Sequence, residues 1–469
     1  MRITAKEIEI ATGGKIIRGG TSAVASGVST DTRGECEGKL FVPLIGDNFD
    51  GHNFIGKAFE KGAAIALASR EDICANAGLT DVTDSAVIIK VADTLAALGR
   101  LAAWYRLKFS PLVVAVTGSV GKTTTKEMIS LVLSEKYNVL KSAGNFNNEI
   151  GLPLTIFKLT AEHTALVVEL GMNHPGEISR LSKIARPDIA VITNIGYAHI
   201  ERFGTKQNIL KAKLEILDGL SKNGIVFLNG DDTLLKGLMG LIDRPTVYYG
   251  IDEALDVIGT DSRMKGEHGL AFEFNWQKRD YCVCLDAAGA HNIHNALAAV
   301  AVGLQNDVPP EQIVAALAKF EPDKLRMNVV SAGGCRLIND TYNANPQSMF
   351  AAIDVLVELP GGGRRVAVLG DMLEQGVFAQ EHHREVGAYL AKKGVDVLVG
   401  VGAYAADLAH GAGGIAECHT FQDRDGVADF TASLLRPDDT VLIKGSRGMA
   451  MEKVAEALEN KLERGVGNV

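Results

Sequence analysis

The sequence predicts an α/β protein with three domains built around parallel sheets. Its 469 residues are enough for about three domains at roughly 150 residues each. Short runs rich in valine and isoleucine alternate with helical patterns, which is typical of βαβ units whose strands are covered on both faces. The predicted strands are Ala64–Leu67, Ala86–Ile89, Val113–Val116, Leu166–Leu170, Ile189–Thr193, Ile225–Leu228, Val366–Leu369, Val397–Gly400 and Val441–Ile443.

Two breaks in the pattern divide the chain. A helix capped by Asp93 is predicted to run to about Lys108, where Ser110–Pro111 ends it. A second break follows at Glu321–Pro322–Asp323. The predicted domains are therefore residues 1–108, 109–322 and 323–469.

The composition indicates which classes of partner the protein can bind and in which cellular compartment it works. The chain has 48 basic and 57 acidic residues, a formal charge of −9, which disfavours nucleic acid as the main partner. Its six cysteines, Cys74 among them, form no CxxC pair, and scattered thiols fit a reducing cytoplasm. Cys282 and Cys284 are predicted to pack as an apolar pair on one strand face. No apolar run is long enough to span a membrane.

A phosphate-binding loop is the strongest local signal. The apolar strand Leu112–Val116 runs into TGSVGKTT, and a helical pattern follows from about Thr123. Gly118 and Gly121 let backbone N–H groups turn towards phosphate oxygens, and the helix N-terminus adds partial positive charge. Lys122 would reach the β and γ phosphates, and the Thr123 hydroxyl would bind Mg²⁺.

The loop is a variant of the usual pattern. G-x-x-x-x-G-K-[ST] would place glycine at Val116, so the motif here is the shorter T-G-x-x-G-K-T. An ordinary strand–turn–helix corner is the alternative interpretation. The loop predicts a nucleotide but no reaction, and a GTPase or ATPase switch remains open at this point.

Five further residues could have either a structural or a functional role. Glu169 ends a predicted strand at the edge where ligands bind in α/β sheets, and it is either a Mg²⁺ ligand or a surface charge. His199 follows the next strand at that edge, where such a histidine is more often structural. Lys213, within the predicted helix Lys206–Leu220, is by base rate solvated. Asn292 and Asn295 share a helix face that suits an adenine edge, although Asn292 could simply cap the helix.

Longer motifs resemble the Mur ligase family, whose phosphate loop has the same shorter form. They cover Gly144–Pro153, Val167–Ile178, Thr193–Ile216 and Gly289–Ala299. Three more segments are most similar to the family branch that adds a D-alanyl-D-alanine dipeptide. These are Asn339–Met349, Val368–Gly376 and Lys444–Val454.

The resemblance implies an ATP-dependent amide-bond ligase of cell-wall synthesis in the three-domain Mur ligase architecture. A small α/β N-terminal domain would hold the UDP-sugar end of the substrate, and the central domain would bind ATP. A Rossmann-like C-terminal domain would close on ATP and bind the incoming dipeptide. The implied substrates are UDP-N-acetylmuramoyl-tripeptide and D-alanyl-D-alanine, with ATP and Mg²⁺, and a cytoplasmic monomer is expected.

The resemblance also implies roles for particular residues. The expected nucleotide contacts are Gly118, Ser119, Val120, Gly121, Lys122, Thr123, Thr124, Asn292, Asn295, Arg326 and Asp340. The expected catalytic residues are Lys122, Glu169, His199 and Lys213; the expected metal ligands are Thr123, Glu169, His199 and a carbamylated Lys213. The expected substrate contacts are Thr32, Arg33, Asp47, Asn48, Asn147 and Asn148.

Two rival functions stay open on sequence grounds. One is a different ligase of the same superfamily, such as a folylpolyglutamate ligase or another peptidoglycan ligase. The DTR segment at Asp31–Arg33 and the YNANP segment at Tyr342–Pro346 argue against the folate version. The other is an ATPase switch protein that hydrolyses ATP without forming an amide bond.

Overall fold

A computed structural model describes residues 1–70, 86–252, 254–265 and 269–466, so Cys74 lies outside the described part. Three large sheets follow one another along the chain, with five, nine and six strands. The predicted α/β class is confirmed, because parallel strands dominate each sheet and helices cover them. No helix in the described ranges is long and apolar enough to cross a membrane.

The first sheet has the order β2-β9-β8-β5-β4, with β2 antiparallel to its neighbour. A hairpin of β6 and β7 lies apart from it. The strands are β1 Ile3–Thr4, β2 Lys15–Arg18, β3 Val24–Ala25, β4 Val28–Ser29, β5 Leu40–Phe41, β6 Ile45–Gly46, β7 Phe49–Asp50, β8 Ile65–Ala68 and β9 Val87–Lys90; the helices are α1 Ala5–Thr12, α2 Ile55–Glu60 and α3 Thr94–Arg106.

Helix α3 joins the first sheet to the second. It begins at the predicted place, because the Asp93 carboxylate accepts a hydrogen bond from the Ala96 N–H at 2.6 Å. Its buried residues Leu98 and Leu101 belong to one continuous apolar core that contains side chains from both sheets. Tyr105 also donates a hydrogen bond to the Leu159 carbonyl at 2.9 Å. The first and second sheets are thus held by shared hydrophobic packing.

The second sheet has the order β11-β12-β10-β13-β14-β15-β16-β17-β18 and is parallel as far as β16. Its strands are β10 Leu112–Thr117, β11 Val139–Lys141, β12 Ala165–Glu169, β13 Ile189–Ile192, β14 Ile225–Asn229, β15 Thr246–Gly250, β16 Val257–Lys265, β17 Gly269–Trp276 and β18 Arg279–Leu285. Its helices are α4 Lys122–Ser134, α5 Gly151–Ile156, α6 Glu177–Ala185, α7 Ile200–Phe203, α8 Lys206–Leu214, α9 Thr233–Lys236, α10 His291–Gln305 and α11 Pro310–Leu317.

The third sheet has the order β19-β20-β24-β21-β22-β23, with only the edge strand β19 antiparallel among its described pairs. Its strands are β19 Asn328–Ala332, β20 Cys335–Asp340, β21 Arg365–Gly370, β22 Val397–Val401, β23 Glu417–Phe421 and β24 Thr440–Lys444. Its helices are α12 Pro346–Glu358, α13 Ala379–Lys393, α14 Ala405–Gly411, α15 Val427–Leu434 and α16 Glu452–Val466.

Two local expectations were wrong. The helix predicted over Lys206–Leu220 ends as α8 at Leu214 and continues as a 3-10 helix, Glu215–Gly219. Cys282 is exposed and Cys284 only partly covered, because Val283 and Leu285 face the core from β18. An antiparallel strand with one solvated face alternates in this way, so the two thiols lie on its outer side.

We expect Leu101→Ala to lower the free energy of unfolding by about 2–5 kcal/mol, because it leaves a cavity where α3 packs on two sheets. Leu107→Ala is the matched control: Leu107 follows the same helix but is 56% exposed, so its cost should stay below about 0.5 kcal/mol. Chemical denaturation followed by circular dichroism measures both. Equal losses for the two variants would contradict the shared core.

Candidate functional site

The phosphate loop spans the end of β10 and the start of α4, as predicted. Gly118 has φ +153°, and a Cβ there would lie 1.9 Å from Thr193 Oγ1. Gly121 has φ +82°, and a Cβ there would lie 2.4 Å from Asn295 Oδ1. Both positions therefore require glycine, for backbone conformation and for space.

Asn194 fixes the shape of this loop. Its side-chain Oδ1 accepts from the Val120 N–H at 2.9 Å, and its Nδ2 donates to the Val120 carbonyl at 2.9 Å. The Ser119 N–H donates to the Asn194 carbonyl at 3.1 Å. The N–H groups of Ser119 and Val120 are thus already bonded within the protein. The first-turn N–H groups of α4 have no intrahelical acceptor and remain for an anion.

Lys122 reaches back over the loop. Its Nζ donates to the Gly118 carbonyl at 3.0 Å. Desolvation by the surrounding protein lowers the pKa of Lys122, Glu169 opposes the shift, and Arg326 adds to it. The side chain keeps some exposed surface because it borders an open cleft.

Thr123 and Glu169 meet beside the loop. The Thr123 hydroxyl donates to Glu169 Oε2 at 2.7 Å, and Asn147 Nδ2 donates to Glu169 Oε1 at 2.7 Å. Glu169 is only 2% exposed, so it is not the surface charge that was the alternative. Arg326 Nη2, from the segment before the third sheet, donates to Thr123 Oγ1 at 3.1 Å.

Lys213 is buried, which overturns the solvated alternative. It is 2% exposed and lines the same cleft as Lys122 and Glu169. Burial, and then the charge of Lys122, hold the pKa of Lys213 well below its ordinary value, while Glu169 opposes them. The amine is therefore biased towards its neutral, nucleophilic form.

His199 lies between this cleft and a second cavity. It has a left-handed φ of +63° and precedes α7. Its Nδ1 is 2.6 Å from Glu374 Oε2, without the angle of a hydrogen bond. The contact with His199 lowers the pKa of Glu374. In the described ranges, no group of three or more His, Cys, Asp or Glu side chains is placed to hold a metal.

Asn292 and Asn295 lie in the first turns of α10 and are 5% exposed each. Asn295 accepts from the Thr125 hydroxyl at 3.0 Å and donates to Asn292 Oδ1 at 2.9 Å. Asn292 donates to the Ala288 carbonyl at 2.8 Å, and the helix cap is Ala290, so capping by Asn292 is wrong. Contact with adenine stays a prediction.

Asp340 and Lys444 end neighbouring strands of the third sheet. Lys444 is 2% exposed and donates to Asp340 Oδ2 at 2.5 Å and to the Asn343 carbonyl at 2.8 Å. Asp340 Oδ1 also accepts from the Met327 N–H at 3.2 Å. Lys444 and Asn194 were not among the site residues predicted from the sequence. Each lies at the end of a predicted strand and beside a recognised motif, and these two features could have identified it as a site residue.

Most of these groups border one cleft of about 650 Å³, whereas Glu374 lines only the second cavity. Every predicted nucleotide contact lines it, together with Asn147, Asn148, Glu169, His199 and Lys213. The four predicted substrate contacts of the first segment do not. The Thr32 carbonyl accepts from Lys61 Nζ at 2.7 Å. Exposed Arg33 pairs with Asp31 and lowers the pKa of that carboxyl to about 2. Asp47 and Asn48 form the exposed tip of the β6–β7 hairpin.

Comparison with known proteins accounts for the three sheets and the cleft together. Family models match in chain order: the Mur ligase family catalytic domain at 24–106, the Mur ligase middle domain at 116–303, and the Mur ligase glutamate ligase domain at 325–447. This chain belongs to the Mur ligase family.

Relatives within the Mur ligase family match along nearly the whole chain. The UDP-N-acetylmuramoyl-tripeptide–D-alanyl-D-alanine ligase of Bacillus subtilis is 38% identical, over 93% of each chain. The enzyme of that name from Escherichia coli is 37% identical, over 94% of this chain and 95% of its own.

Solved structures of MurF proteins also match along nearly the whole chain. MurF from Acinetobacter baumannii superposes with a TM-score of 0.89 at 33% identity, covering 98% of this chain and 99% of its own. MurF from Thermotoga maritima, solved in complex with ADP, gives a TM-score of 0.82 at 31% identity, covering 94% and 98%.

We expect Gly121→Ala to weaken Mg–ADP binding at least about tenfold, because the methyl group would collide with Asn295 and distort the loop. Gly13→Ala is the matched control: φ is +67°, yet nothing lies within 4 Å of a Cβ there. It should cost about 1 kcal/mol of stability and leave nucleotide affinity unchanged. Isothermal titration calorimetry measures the affinities. Equal weakening in both variants would contradict the collision.

Proposed function

We propose that this chain is an ATP-dependent ligase that joins D-alanyl-D-alanine to UDP-N-acetylmuramoyl-tripeptide in peptidoglycan precursor synthesis. The observation that carries the proposal is similarity to enzymes of that name over 93% of the chain, including the first and third segments. A phosphate loop alone would fit any nucleotide-dependent protein. The ADP complex of the Thermotoga maritima relative supports nucleotide binding in the cleft.

The cleft suits phosphoryl transfer from ATP. The first-turn N–H groups of α4 and the ammonium of Lys122 would hold the β and γ phosphates. Arg326 lies 3.1 Å from the Thr123 hydroxyl, so it is close enough to add positive charge at the same place. Asn292 and Asn295 would contact the adenine and Asp340 the ribose.

Mg²⁺ fits the donors beside the loop. The Thr123 hydroxyl and the buried Glu169 carboxylate are hard oxygen ligands 2.7 Å apart. His199 and a carbamylated Lys213 would complete the set for a second ion. When bound, the metal neutralises charge on the transferring phosphoryl group.

The reaction would proceed in two steps. The terminal carboxylate of the tripeptide attacks the γ-phosphorus of ATP, giving an acyl phosphate and ADP. The free amine of D-alanyl-D-alanine then attacks the acyl carbon, and a tetrahedral intermediate collapses to amide and phosphate. Water would hydrolyse the acyl phosphate, so closure of the third domain, through Arg326 and Asp340, would protect it.

The three predicted domains, 1–108, 109–322 and 323–469, would divide the substrates among them. The first would hold the UDP-sugar end through Thr32, Arg33, Asp47 and Asn48, away from the cleft. Asn147 and Asn148 line the cleft, where they would meet the peptide end. A monomer in the cytoplasm, where ATP is supplied, fits these roles.

The incoming dipeptide would occupy the second cavity, of about 250 Å³. It shares His199, Asn173, Asn343 and Asn345 with the nucleotide cleft, which brings an amine close to the acyl phosphate. Arg447 lines this cavity and would bind the dipeptide carboxylate. Glu374 lines it too and would favour the ammonium end before the attacking amine is deprotonated.

Product analysis tests the ligase against its rivals. The purified chain is incubated with Mg–ATP and each combination of UDP-muramoyl tripeptide and D-alanyl-D-alanine, and phosphate and amide products are quantified. The proposal expects phosphate release that needs both substrates and equals the amide formed. Phosphate release independent of substrates would favour an ATPase switch, and activity with a different acceptor would favour another Mur-type ligase.

We expect Lys213→Ala to have low ligase activity that short carboxylic acids partly restore, because a carboxylate would replace the proposed carbamate. The lowered pKa of Lys213 favours the neutral amine that adds CO₂. Lys211→Ala, at an exposed position on the same helix, should keep normal activity and show no response to the acids. Failure of rescue would contradict the carbamate without affecting the ligase proposal.

We expect Arg447→Ala to raise the KM for D-alanyl-D-alanine at least about tenfold, because a charge-assisted contact is lost, with little change in the KM for ATP. D-alanyl-D-alaninamide, which lacks the carboxylate, is the matched substrate. The unaltered enzyme should discriminate strongly against it, and the variant should not. Discrimination that persists in Arg447→Ala would contradict this carboxylate site.

A further inference from the structure

Lys126 is a fully buried lysine on the phosphate-loop helix. It is 0% exposed and lies one turn after Thr123. Its Nζ donates to the Ser142 carbonyl at 2.7 Å and lies 2.9 Å from Glu127 Oε1. Burying a lysine is costly, so its contacts must offset a substantial desolvation penalty. Lys126 does not line the nucleotide cleft, and the reaction described above does not use it.

Ser142, whose carbonyl accepts that hydrogen bond, also contacts Glu169. Ser142 follows β11, and its hydroxyl accepts from the Glu169 N–H at 3.3 Å. The loop that continues from Ser142 carries Asn147, whose amide donates to Glu169 Oε1 at 2.7 Å. The Asn147 carbonyl in turn accepts from the Gly171 N–H at 2.8 Å. Ser142 and Asn147 therefore hold Glu169 from two sides.

We propose that Lys126 is a positioning residue that fixes the 142–148 loop against the phosphate-loop helix and so aims Glu169 and Asn147 into the cleft. Helix α4 thereby carries both Thr123, whose hydroxyl bonds to Glu169, and Lys126, which sets the position of Glu169. The catalytic consequence rests on the proposed function; the ordering of the loop does not.

The competing role is general stabilisation of the fold. Lys126 also pairs with Glu127, which forms a second ion pair with Lys141. Lys141 is partly exposed and bonds to Glu127 rather than to Ser142 in the described part of the chain. Lys141→Met therefore removes a charge from the same cluster without removing the loop contact, and it serves as the matched control.

Hydrogen–deuterium exchange of the ligand-free protein tests the ordering directly. Lys126→Met keeps the length and volume of the side chain but leaves the Ser142 carbonyl without its donor. Amides of residues 142–150 should exchange about tenfold faster, with the core of the third sheet unchanged. Lys141→Met should leave both regions unchanged. Unaltered exchange at 142–150, or equal acceleration everywhere, would overturn the proposal.

Kinetics test the catalytic consequence. Lys126→Met should lower kcat about tenfold while the KM for ATP changes less than about twofold, and Lys126→Arg should recover part of the loss. Adding Asn147→Ala to Lys126→Met should cost less than Asn147→Ala does alone, because both changes act through one loop. Fully additive losses would overturn the coupling.

A second variant tests the proposal if Lys126→Met folds poorly. If Lys126→Met does not fold, Lys126→Gln retains a polar group too short to reach Ser142 and should give the same local exchange; normal protection would then overturn the proposal. If the unaltered chain forms no amide product, the proposed function fails, while the exchange result still decides the role of Lys126.

Discussion

The site depends on one hydroxyl group, that of Thr123. It donates to the buried Glu169 carboxylate at 2.7 Å and accepts from Arg326 at 3.1 Å. These three side chains come from the phosphate-loop helix, from strand β12 and from the segment that leads to the third sheet. The parallel sheet makes the meeting possible, because β10, β12 and β13 are neighbours and end at one edge. The proposed contacts to the nucleotide, to the metal and to the closing third segment therefore all involve Thr123.

The two junctions between sheets differ in their chemistry. The first and second sheets share an apolar core through α3, so separating them would expose hydrophobic surface. The second and third meet through polar contacts, among them Arg326 with Thr123 and Gln347 with the Tyr197 N–H at 3.0 Å. They also share local apolar contacts: Phe378 packs against the first core, and the Tyr197 and His382 rings lie 4.8 Å apart. Polar contacts can be exchanged for water at much lower cost than apolar ones. The polar contacts of the second junction are therefore the ones that the proposed closure of the third segment would rearrange most easily.

The sequence predicted the parallel framework because each buried strand carries its own signal. The run Val113–Val116 lies inside β10, and the glycine at Gly121 is required by a positive φ. The antiparallel strands β16 and β17 were not predicted from the sequence. A strand through Cys282 was expected, but the wrong face was predicted to be buried, because one face of this part of the sheet is solvated. Asn194, Lys126 and Lys444 contact residues that are distant in the sequence, and local periodicity does not reveal such contacts. Lys213 looked solvated because helical spacing alone does not show which neighbours cover it.

Transfer of labelled oxygen tests the central claim, a phosphoryl group moved from ATP to a peptide carboxylate. The tripeptide is labelled with ¹⁸O in its terminal carboxylate and turned over with Mg–ATP and D-alanyl-D-alanine, and the phosphate is analysed by mass spectrometry. An acyl phosphate leaves one carboxylate oxygen on phosphorus, so each released phosphate should carry one ¹⁸O atom. Phosphate without label, released as amide forms, would contradict the account.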